Sequence, residues 1–221
     1  MKYDVALFDL DGTLVDSVYD LYLAVNLTLS DLAFPIVSQS LVESWIGNGI
    51  ETLVKRALSG DMQISEHLEE ALSAKAIALF YQHYEQLVGK YSVLYQHVET
   101  GLSALRGMPK ALVTNKARLF TELLLDKLSL TSHFEVIVCG DDMAKKPSPA
   151  PLLYACKKLN VEPSKAIMIG DSKSDILAAH AAKIDVIAVD YGYNQGENLE
   201  DYNPQYLCDN FLDIIPTLTQ R

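Results

Sequence analysis

Short runs of consecutive apolar residues recur along the chain, and each run ends at a polar or glycine-rich turn. Strands that are buried on both faces of a parallel sheet show this pattern, because neither side of such a sheet meets water. The predicted strands cover residues 5–8, 111–113, 136–139, 166–169 and 186–189.

Segments with helical periodicity lie between these strands, at residues 117–128, 151–159 and 175–183. The apolar face predicted for the first of them consists of Leu119, Leu123, Leu124 and Leu128. Alternation of strand and helix predicts an α/β fold with a doubly wound, Rossmann-like parallel sheet.

One long segment breaks this alternation. Residues 16–93 contain no strand-like run and show helical periodicity throughout. We therefore predict an all-helical domain over residues 16–93, inserted after the first strand, and an α/β core formed by residues 1–15 and 94–221.

Composition narrows the class of protein. The chain has 221 residues, of which 49% are apolar, and a formal net charge of −11, as expected for a globular protein with neither nucleic acid nor an anionic membrane as partner. The three cysteines are scattered, an acidic residue stands at position 4, and no apolar run is long enough to span a membrane. These features predict a cytoplasmic protein with reduced thiols.

Two carboxylates, Asp9 and Asp11, follow the first predicted strand. Side chains two positions apart in an extended segment point the same way, and Gly12 then permits a tight turn. Two carboxylates this close favour a bound cation. The alternative is an acidic turn that caps a helix.

Residues 9–13, Asp-Leu-Asp-Gly-Thr, resemble the first motif of the haloacid dehalogenase-like phosphohydrolases. The resemblance implies that Asp9 is a nucleophile that becomes an aspartyl-phosphate, that Asp11 is the general acid/base, and that Gly12 contacts phosphate. An Asp at the second position is typical of the phosphatases in that family. A carboxylate nucleophile divides ester hydrolysis into two steps, and a neighbouring carboxyl can protonate the leaving oxygen and then activate water.

Two further motifs resemble this family. Thr114 and Asn115 end the second predicted strand and are expected to bind phosphate, although Thr114 alone is more typical of a helix N-cap. The family's third motif is a lysine, usually before proline, which selects Lys146 over Lys145. Its ammonium is expected to neutralise the phosphoryl group and the nucleophile. The alternative is a solvated lysine pair.

Asp171 and Asp175 resemble the fourth motif, after the strand at residues 166–169. Asp175 alone also suits a helix N-terminus. Four carboxylates and a phosphate in one pocket require a hard cation with oxygen ligands, which indicates Mg²⁺. The resemblance implies side-chain ligation by Asp9 and Asp171, main-chain ligation by Asp11, and Asp175 as a ligand directly or through water.

The helical insert resembles the cap of this superfamily, which closes over the site. Residues 45–50, Trp-Ile-Gly-Asn-Gly-Ile, resemble the cap loop of the phosphoglycolate phosphatase branch. Gly47, Asn48 and Gly49 are therefore candidates to bind the substrate, with a plain helix–helix turn as the alternative.

The sequence therefore predicts a Mg²⁺-dependent phosphomonoester hydrolase that acts on a small phosphorylated metabolite, with phosphoglycolate as the favoured substrate. A phosphosugar mutase resembling β-phosphoglucomutase, a pyrophosphatase and a non-catalytic phosphate-binding or interaction module remain alternatives. Either a monomer or a homodimer is compatible with the sequence.

Overall fold

The computed structural model describes residues 2–219. Its strands are β1 (Val5–Phe8), β2 (Val15–Asp16), β3 (Val93–Leu94), β4 (Lys110–Val113), β5 (Val136–Val138), β6 (Ala166–Gly170), β7 (Asp185–Val189) and β8 (Tyr206–Cys208). Its helices are α1 (Val18–Asp31), α2 (Gln39–Trp45), α3 (Ile50–Ser59), α4 (Glu70–Leu87), α5 (Val98–Ala104), α6 (Arg118–Lys127), α7 (Ala150–Leu159), α8 (Lys173–Ala182) and α9 (Ile214–Thr219).

The main sheet is parallel, with the strand order β5-β4-β1-β6-β7-β8. Successive residues of β1 face opposite sides of it. Val5 and Leu7 pack with residues of α7 and α8, whereas Ala6 and Phe8 pack with residues of α5, α6 and α9. Both faces are thus covered, which explains the uninterrupted apolar runs and confirms the α/β, doubly wound fold class.

The order of the strands also locates the binding edge. From the central β1, the chain proceeds to β4 and β5 on one side, and then to β6, β7 and β8 on the other. In open α/β sheets, ligands bind outside the carboxyl ends of the strands where this reversal occurs. The polar residues after β1, β4 and β6 therefore share one edge.

The face predicted for the helix at residues 117–128 is wrong in detail. Leu119 is 46% exposed, and the fully buried residues of α6 are Phe120, Thr121, Leu124 and Leu125. The Phe120 ring lies 4.7 Å from the ring of Tyr84 in α4, measured between centroids. Phe120 thus packs against the insert, and periodicity within α6 does not reveal a contact between elements so far apart in the chain.

Helices α1 to α4 lie between β1 and β4 in the chain and pack on one another. Strands β2 and β3 pair where the chain enters and leaves these helices, with Val15 opposite Leu94. The buried carboxylate of Asp20 accepts hydrogen bonds from the backbone of Tyr91 and Ser92, at 3.0 and 3.1 Å. These contacts fasten the return segment to the first turn of α1.

The short elements α5, α9 and β8 are not predicted from the sequence. Strand β8 is an edge strand of three residues, and its central Leu207 is 37% exposed, so it lacks the apolar run of a central strand. Among the residues that the structure describes, no helix is both long enough and apolar enough to cross a membrane.

Candidate active site

Asp9 follows β1 directly, at the carboxyl edge of the sheet. Its backbone N–H donates to the carbonyl of Ile169 at 2.9 Å, which continues the pairing of β1 with β6. Asp9 Oδ1 lies 2.8 Å from Lys146 Nζ, but this buried oxygen accepts no aligned hydrogen bond from the residues that the structure describes. The carboxylate is therefore held in place by charge and can still contact a further group.

Lys146 is 3% exposed and lies among oxygen atoms. Its Nζ donates to Asp175 Oδ1 and to the carbonyl of Val113, each at 2.7 Å. The Asn115 side chain holds the backbone of Lys146 through two hydrogen bonds of 2.9 and 3.0 Å. Asn115, a predicted phosphate-binding residue, thus also fixes the lysine beside Asp9.

Asp171 follows β6, and both of its carboxylate oxygens accept hydrogen bonds. Thr13 Oγ1 donates to Oδ1 and the backbone N–H of Tyr193 donates to Oδ2, each at 2.7 Å. Gly12 has a φ of +87°, and a Cβ at this position would overlap the Asp171 carboxylate. A Cβ at Gly192 would overlap Asp171 as well. Two glycines thus allow main chain to approach this carboxylate closely.

Asp175 lies in the first turn of α8 and is fully buried. It forms a capping box with Ser172, whose hydroxyl donates to Asp175 Oδ2 at 2.6 Å. Its other oxygen accepts the hydrogen bond from Lys146. Asp175 therefore combines the role of a helix cap with that of a counter-ion for Lys146.

Burial shifts the proton affinities of this cluster. Burial and the charge of Asp175 raise the pKa of Asp9 to about 6, although Lys146 opposes the rise. Burial, Asp9 and Asp175 raise the pKa of Asp171 well above its ordinary value. Burial alone would lower the pKa of Lys146, but Asp175 and Asp9 outweigh it and raise that pKa overall. If all three acids are ionised, the cluster carries more negative charge than Lys146 can balance, so the raised pKa values reflect this repulsion as well as burial.

The same three acids can hold a metal ion. Asp9, Asp171 and Asp175 each offer a carboxylate oxygen, and these oxygens lie within 4.8 Å of one another. All are hard ligands, which suits a divalent cation such as Mg²⁺.

Asp11 lies on the cleft side of this cluster, and sequence reasoning did not identify its partners. Lys116 Nζ lies 3.1 and 3.0 Å from the two carboxylate oxygens of Asp11, and Ser17 Oγ donates to one of them at 2.6 Å. Lys116 stands directly after the predicted pair Thr114 and Asn115, and this position was the only signal in the sequence.

A cleft with a cavity volume of about 40 Å³ opens over these residues. Its core side is lined by Asp9, Asp11, Thr114, Asn115 and Lys116. Its other side is lined by Leu21, Ile46, Gly47, Gly49, Ile50 and Leu53 of the helical insert. The cleft thus has a polar floor that can bind a phosphoryl group and a mainly apolar roof that contains two glycines.

The loop at residues 46–49 contacts the core at two points. Asn115 Nδ2 donates to the carbonyl of Gly47 at 2.9 Å, and the Gln195 side chain donates to the carbonyl of Ile46. Arg56 Nη1 donates to Asn48 Oδ1 at 2.9 Å. The Asn48 side chain is thus engaged by Arg56 of α3 and, at 3.4 Å, by the Gln195 side chain.

Most residues predicted for the site therefore lie together. Gly47 and Gly49 reach the cleft through their backbone, while Lys146, Asp171 and Asp175 form the charged cluster beside Asp9. The sequence did not point to Ser17, Lys116 or Tyr193. The side chains of Ser17 and Lys116 hold the carboxylate of Asp11, and the backbone N–H of Tyr193 holds that of Asp171.

The comparisons with known proteins agree with this geometry. The chain is 47% identical to a protein of Colwellia psychrerythraea named phosphoglycolate phosphatase, over 97% of this chain and 96% of that protein. It is 41% identical to a protein of the same name from Nitrosococcus oceani, over 98% and 97% of the two chains. A crystal structure described as a predicted phosphoglycolate phosphatase from Haemophilus somnus 129PT matches with a TM-score of 0.92 at 34% identity, over 99% of each chain.

A model of the haloacid dehalogenase-like hydrolases matches residues 6–189, which include Asp9, Lys146 and Asp175. This match covers most of the chain, and the relatives extend over nearly all of it. The chain therefore belongs to the haloacid dehalogenase-like hydrolase family.

Proposed function

We propose that this protein is a Mg²⁺-dependent phosphomonoester hydrolase that works through an aspartyl-phosphate on Asp9, with phosphoglycolate as its substrate. The observation that carries the reaction class is the position of Asp9, in the cleft and beside the ammonium of Lys146 and the carboxylate of Asp171. The names of the relatives that align over nearly the whole chain support the substrate.

The residues present fit a Mg²⁺ ion. Asp9 Oδ1 is buried without a hydrogen bond among the described residues, and Asp171 and Asp175 lie close by, so a cation here would offset their mutual repulsion. We assign as ligands the carboxylates of Asp9 and Asp171 and the main-chain carbonyl of Asp11. Asp175 stands next to them and holds Lys146. When bound, the ion supplies positive charge to the phosphoryl oxygens.

In the first step, a carboxylate oxygen of Asp9 forms a bond to phosphorus while the bond from phosphorus to the ester oxygen breaks. Asp11, in its protonated form, gives its proton to the departing oxygen, which leaves as an alcohol and leaves Asp11 ionised. The Lys146 ammonium and the Thr114 hydroxyl stabilise the charge on the phosphoryl oxygens, and the first N–H groups after Thr114 add to this.

In the second step, Asp11 accepts a proton from a water molecule as the water oxygen attacks phosphorus. The bond between phosphorus and Asp9 then breaks. Inorganic phosphate leaves, and the carboxylate of Asp9 is regenerated for the next cycle.

We assign residues 16–93 as a cap domain and residues 1–15 and 94–221 as the catalytic core. Leu21, Ile46 and Leu53 form an apolar roof over the cleft, which limits the entry of water that could compete in the reaction. The contacts of Asn115 and Gln195 with the loop at residues 46–49 hold this roof against the core.

The carboxylate of phosphoglycolate needs donors beyond those that bind the phosphoryl group. Gly47 and Gly49 line the cleft, and α3 begins directly after Gly49, so main-chain N–H groups at this helix start are suited to a carboxylate. Asn48 contributes through its backbone, since its side-chain oxygen accepts a hydrogen bond from Arg56.

The proposed partner is a small phosphorylated metabolite in the cytoplasm. The net charge of −11 disfavours nucleic acid, and the three cysteines are free and buried, as is typical of a reducing compartment.

The direct test measures phosphate release with Mg²⁺ from phosphoglycolate, a sugar phosphate and pyrophosphate. We expect the highest kcat/KM for phosphoglycolate, and no release by Asp9→Asn, because an amide is not a nucleophile. A higher kcat/KM for pyrophosphate, or conversion of the sugar phosphate without phosphate release, would contradict the proposed substrate. Turnover by Asp9→Asn would contradict the mechanism.

A further inference from the structure

The carboxylate of Asp11 is held by two neighbours. Lys116 Nζ is almost equidistant from its two oxygens, at 3.1 and 3.0 Å, and Ser17 Oγ donates to Oδ1 at 2.6 Å. The side chain of Asp11 is 14% exposed and that of Lys116 is 3% exposed. Little solvent can therefore weaken this ion pair, and its geometry restricts the orientation of the carboxylate.

Lys116 has no hydrogen-bond donor left for a substrate. An ammonium group has three N–H donors. Two are used by the oxygens of Asp11, and the third is used by the hydroxyl of Tyr84, at 2.6 Å. This count favours a role that acts through Asp11 over direct recognition of a substrate anion.

Tyr84 belongs to α4 of the helical insert, whereas Lys116 belongs to the core. The Tyr84 side chain is fully buried, and its ring packs on Phe80 of the insert and on Phe120 of α6. Lys116 Nζ also lies 4.9 Å from the centroid of this ring, where a cation is attracted to the aromatic face. One lysine thus joins the proposed acid/base to a helix of the insert.

We propose that Lys116 is a positioning residue for Asp11, and that Tyr84 makes this positioning depend on the packing of α4 against the core. The inference rests on the proposed function, in which Asp11 transfers the proton. A carboxylate that transfers a proton must stay within hydrogen-bond reach of the leaving oxygen. The contacts of Lys116 and Ser17 hold the Asp11 carboxylate within that reach. Tyr84 in turn holds Lys116, and it does so only while the insert lies over the site.

The experiment compares substrates with different leaving groups. kcat/KM reports every step from substrate binding to departure of the leaving group, so it includes the step in which Asp11 acts as an acid and excludes hydrolysis of the aspartyl-phosphate. Alkyl phosphates such as phosphoglycolate and glycerol phosphate release a strongly basic oxygen that needs a proton. An aryl phosphate such as p-nitrophenyl phosphate releases a weakly basic oxygen and needs little assistance.

For Lys116→Met, we expect kcat/KM to fall by ~10²-fold for the alkyl phosphates and by no more than ~5-fold for the aryl phosphate. Tyr84→Phe keeps the ring but loses the acceptor for Lys116, and we expect a loss in the same direction of roughly 3–10-fold for the alkyl phosphates. Tyr84→Phe also keeps the inference testable if Lys116→Met does not fold.

Two matched controls separate positioning from loss of stability. Lys110 is another buried lysine, but it lies at the opposite end of β4 and its Nζ donates to the carbonyls of Leu105 and Met108. Lys110→Met should lower thermal stability and leave the ratio of alkyl to aryl kcat/KM unchanged. Tyr81→Phe in α4 should leave that ratio unchanged as well, since Tyr81 also packs on Phe120 but does not contact Lys116.

A double-mutant cycle with Asp11→Asn completes the test. If Lys116 acts through Asp11, the double variant should be no slower on alkyl phosphates than Asp11→Asn alone. Equal losses on alkyl and aryl substrates, or losses that multiply in the double variant, would overturn the inference.

If Asp11→Asn itself shows no preference for aryl substrates, the proposed role of Asp11 fails first. If Asp11→Asn shows the preference and Lys116→Met does not, only the inference about Lys116 fails.

Discussion

Tyr193 contacts both the cluster of acids and the start of the helical insert. Its backbone N–H donates to Asp171 Oδ2 at 2.7 Å. Its hydroxyl accepts hydrogen bonds from the backbone N–H groups of Ser17 and Val18, at 2.7 and 3.0 Å, and donates to Asp16 Oδ1 at 2.7 Å. The first helix of the insert is thus capped by a residue from the loop after β7, next to a proposed metal ligand.

Tyr193→Phe tests this connection. The variant leaves the buried backbone N–H of Ser17 without its acceptor, and the N–H of Val18 keeps only a longer bond, of 3.2 Å, to Asp16 Oδ1. We therefore expect a loss of about 1–3 kcal/mol in the free energy of unfolding. Urea denaturation measures this loss. Mg²⁺ affinity should stay within a factor of ~3, since the backbone N–H that holds Asp171 remains. A large loss of Mg²⁺ affinity with unchanged stability would contradict this separation of roles.

Gly12→Ala should abolish Mg²⁺ binding and activity. The new Cβ would overlap the Asp171 carboxylate and displace it from its place beside Asp9. Gly60→Ala is the matched control, because Gly60 also has a positive φ, of +66°, but no atom lies within 4 Å of its added Cβ. The control should lose roughly 1 kcal/mol of stability and retain Mg²⁺ binding. Calorimetric titration with Mg²⁺ distinguishes the two variants, and similar affinities would contradict the overlap argument.

Mg²⁺ should stabilise the chelator-treated protein more at pH values above 6 than below. Burial raises the pKa of Asp9 to about 6 from an ordinary 3.8, so the stability contributed by its protonated form is lost as the pH rises through this range. Asp171 shifts in the same direction. Once these carboxyl groups are ionised they repel each other, and a bound cation offsets that repulsion. Thermal denaturation with and without Mg²⁺, near pH 5 and near pH 7.5, measures the difference, and an equal or larger shift near pH 5 would contradict it.

Gly49→Ala should separate recognition from chemistry. A Cβ at Gly49 would approach Lys145 Nζ to 2.9 Å, and its φ of +87° disfavours any side chain. The altered loop should lower kcat/KM for phosphoglycolate by ~10-fold or more, and lower it less for p-nitrophenyl phosphate, which has no carboxylate to bind. Equal fractional losses would indicate that the loop acts only as a structural turn.

The residues that carry the proposed chemistry could be predicted because each follows a strand in a short motif. Asp9, Thr114 and Asp171 stand directly after apolar runs, and parallel strands bring their carboxyl ends to one edge. The division into a core and a cap over residues 16–93 stays a prediction, and so do the individual roles of the site residues.

The sequence by itself determined the α/β class, and it predicted the position of the helical insert and the set of acids, because these depend on local periodicity and on residues close together in the chain. The tertiary structure alone decided which groups orient those acids. Lys116 and Tyr84 are 32 positions apart, and Tyr193 and Ser17 are 176 apart. Such pairs leave no periodic signal in the chain, since only the packing of α4 and of the loop after β7 against the core brings them together.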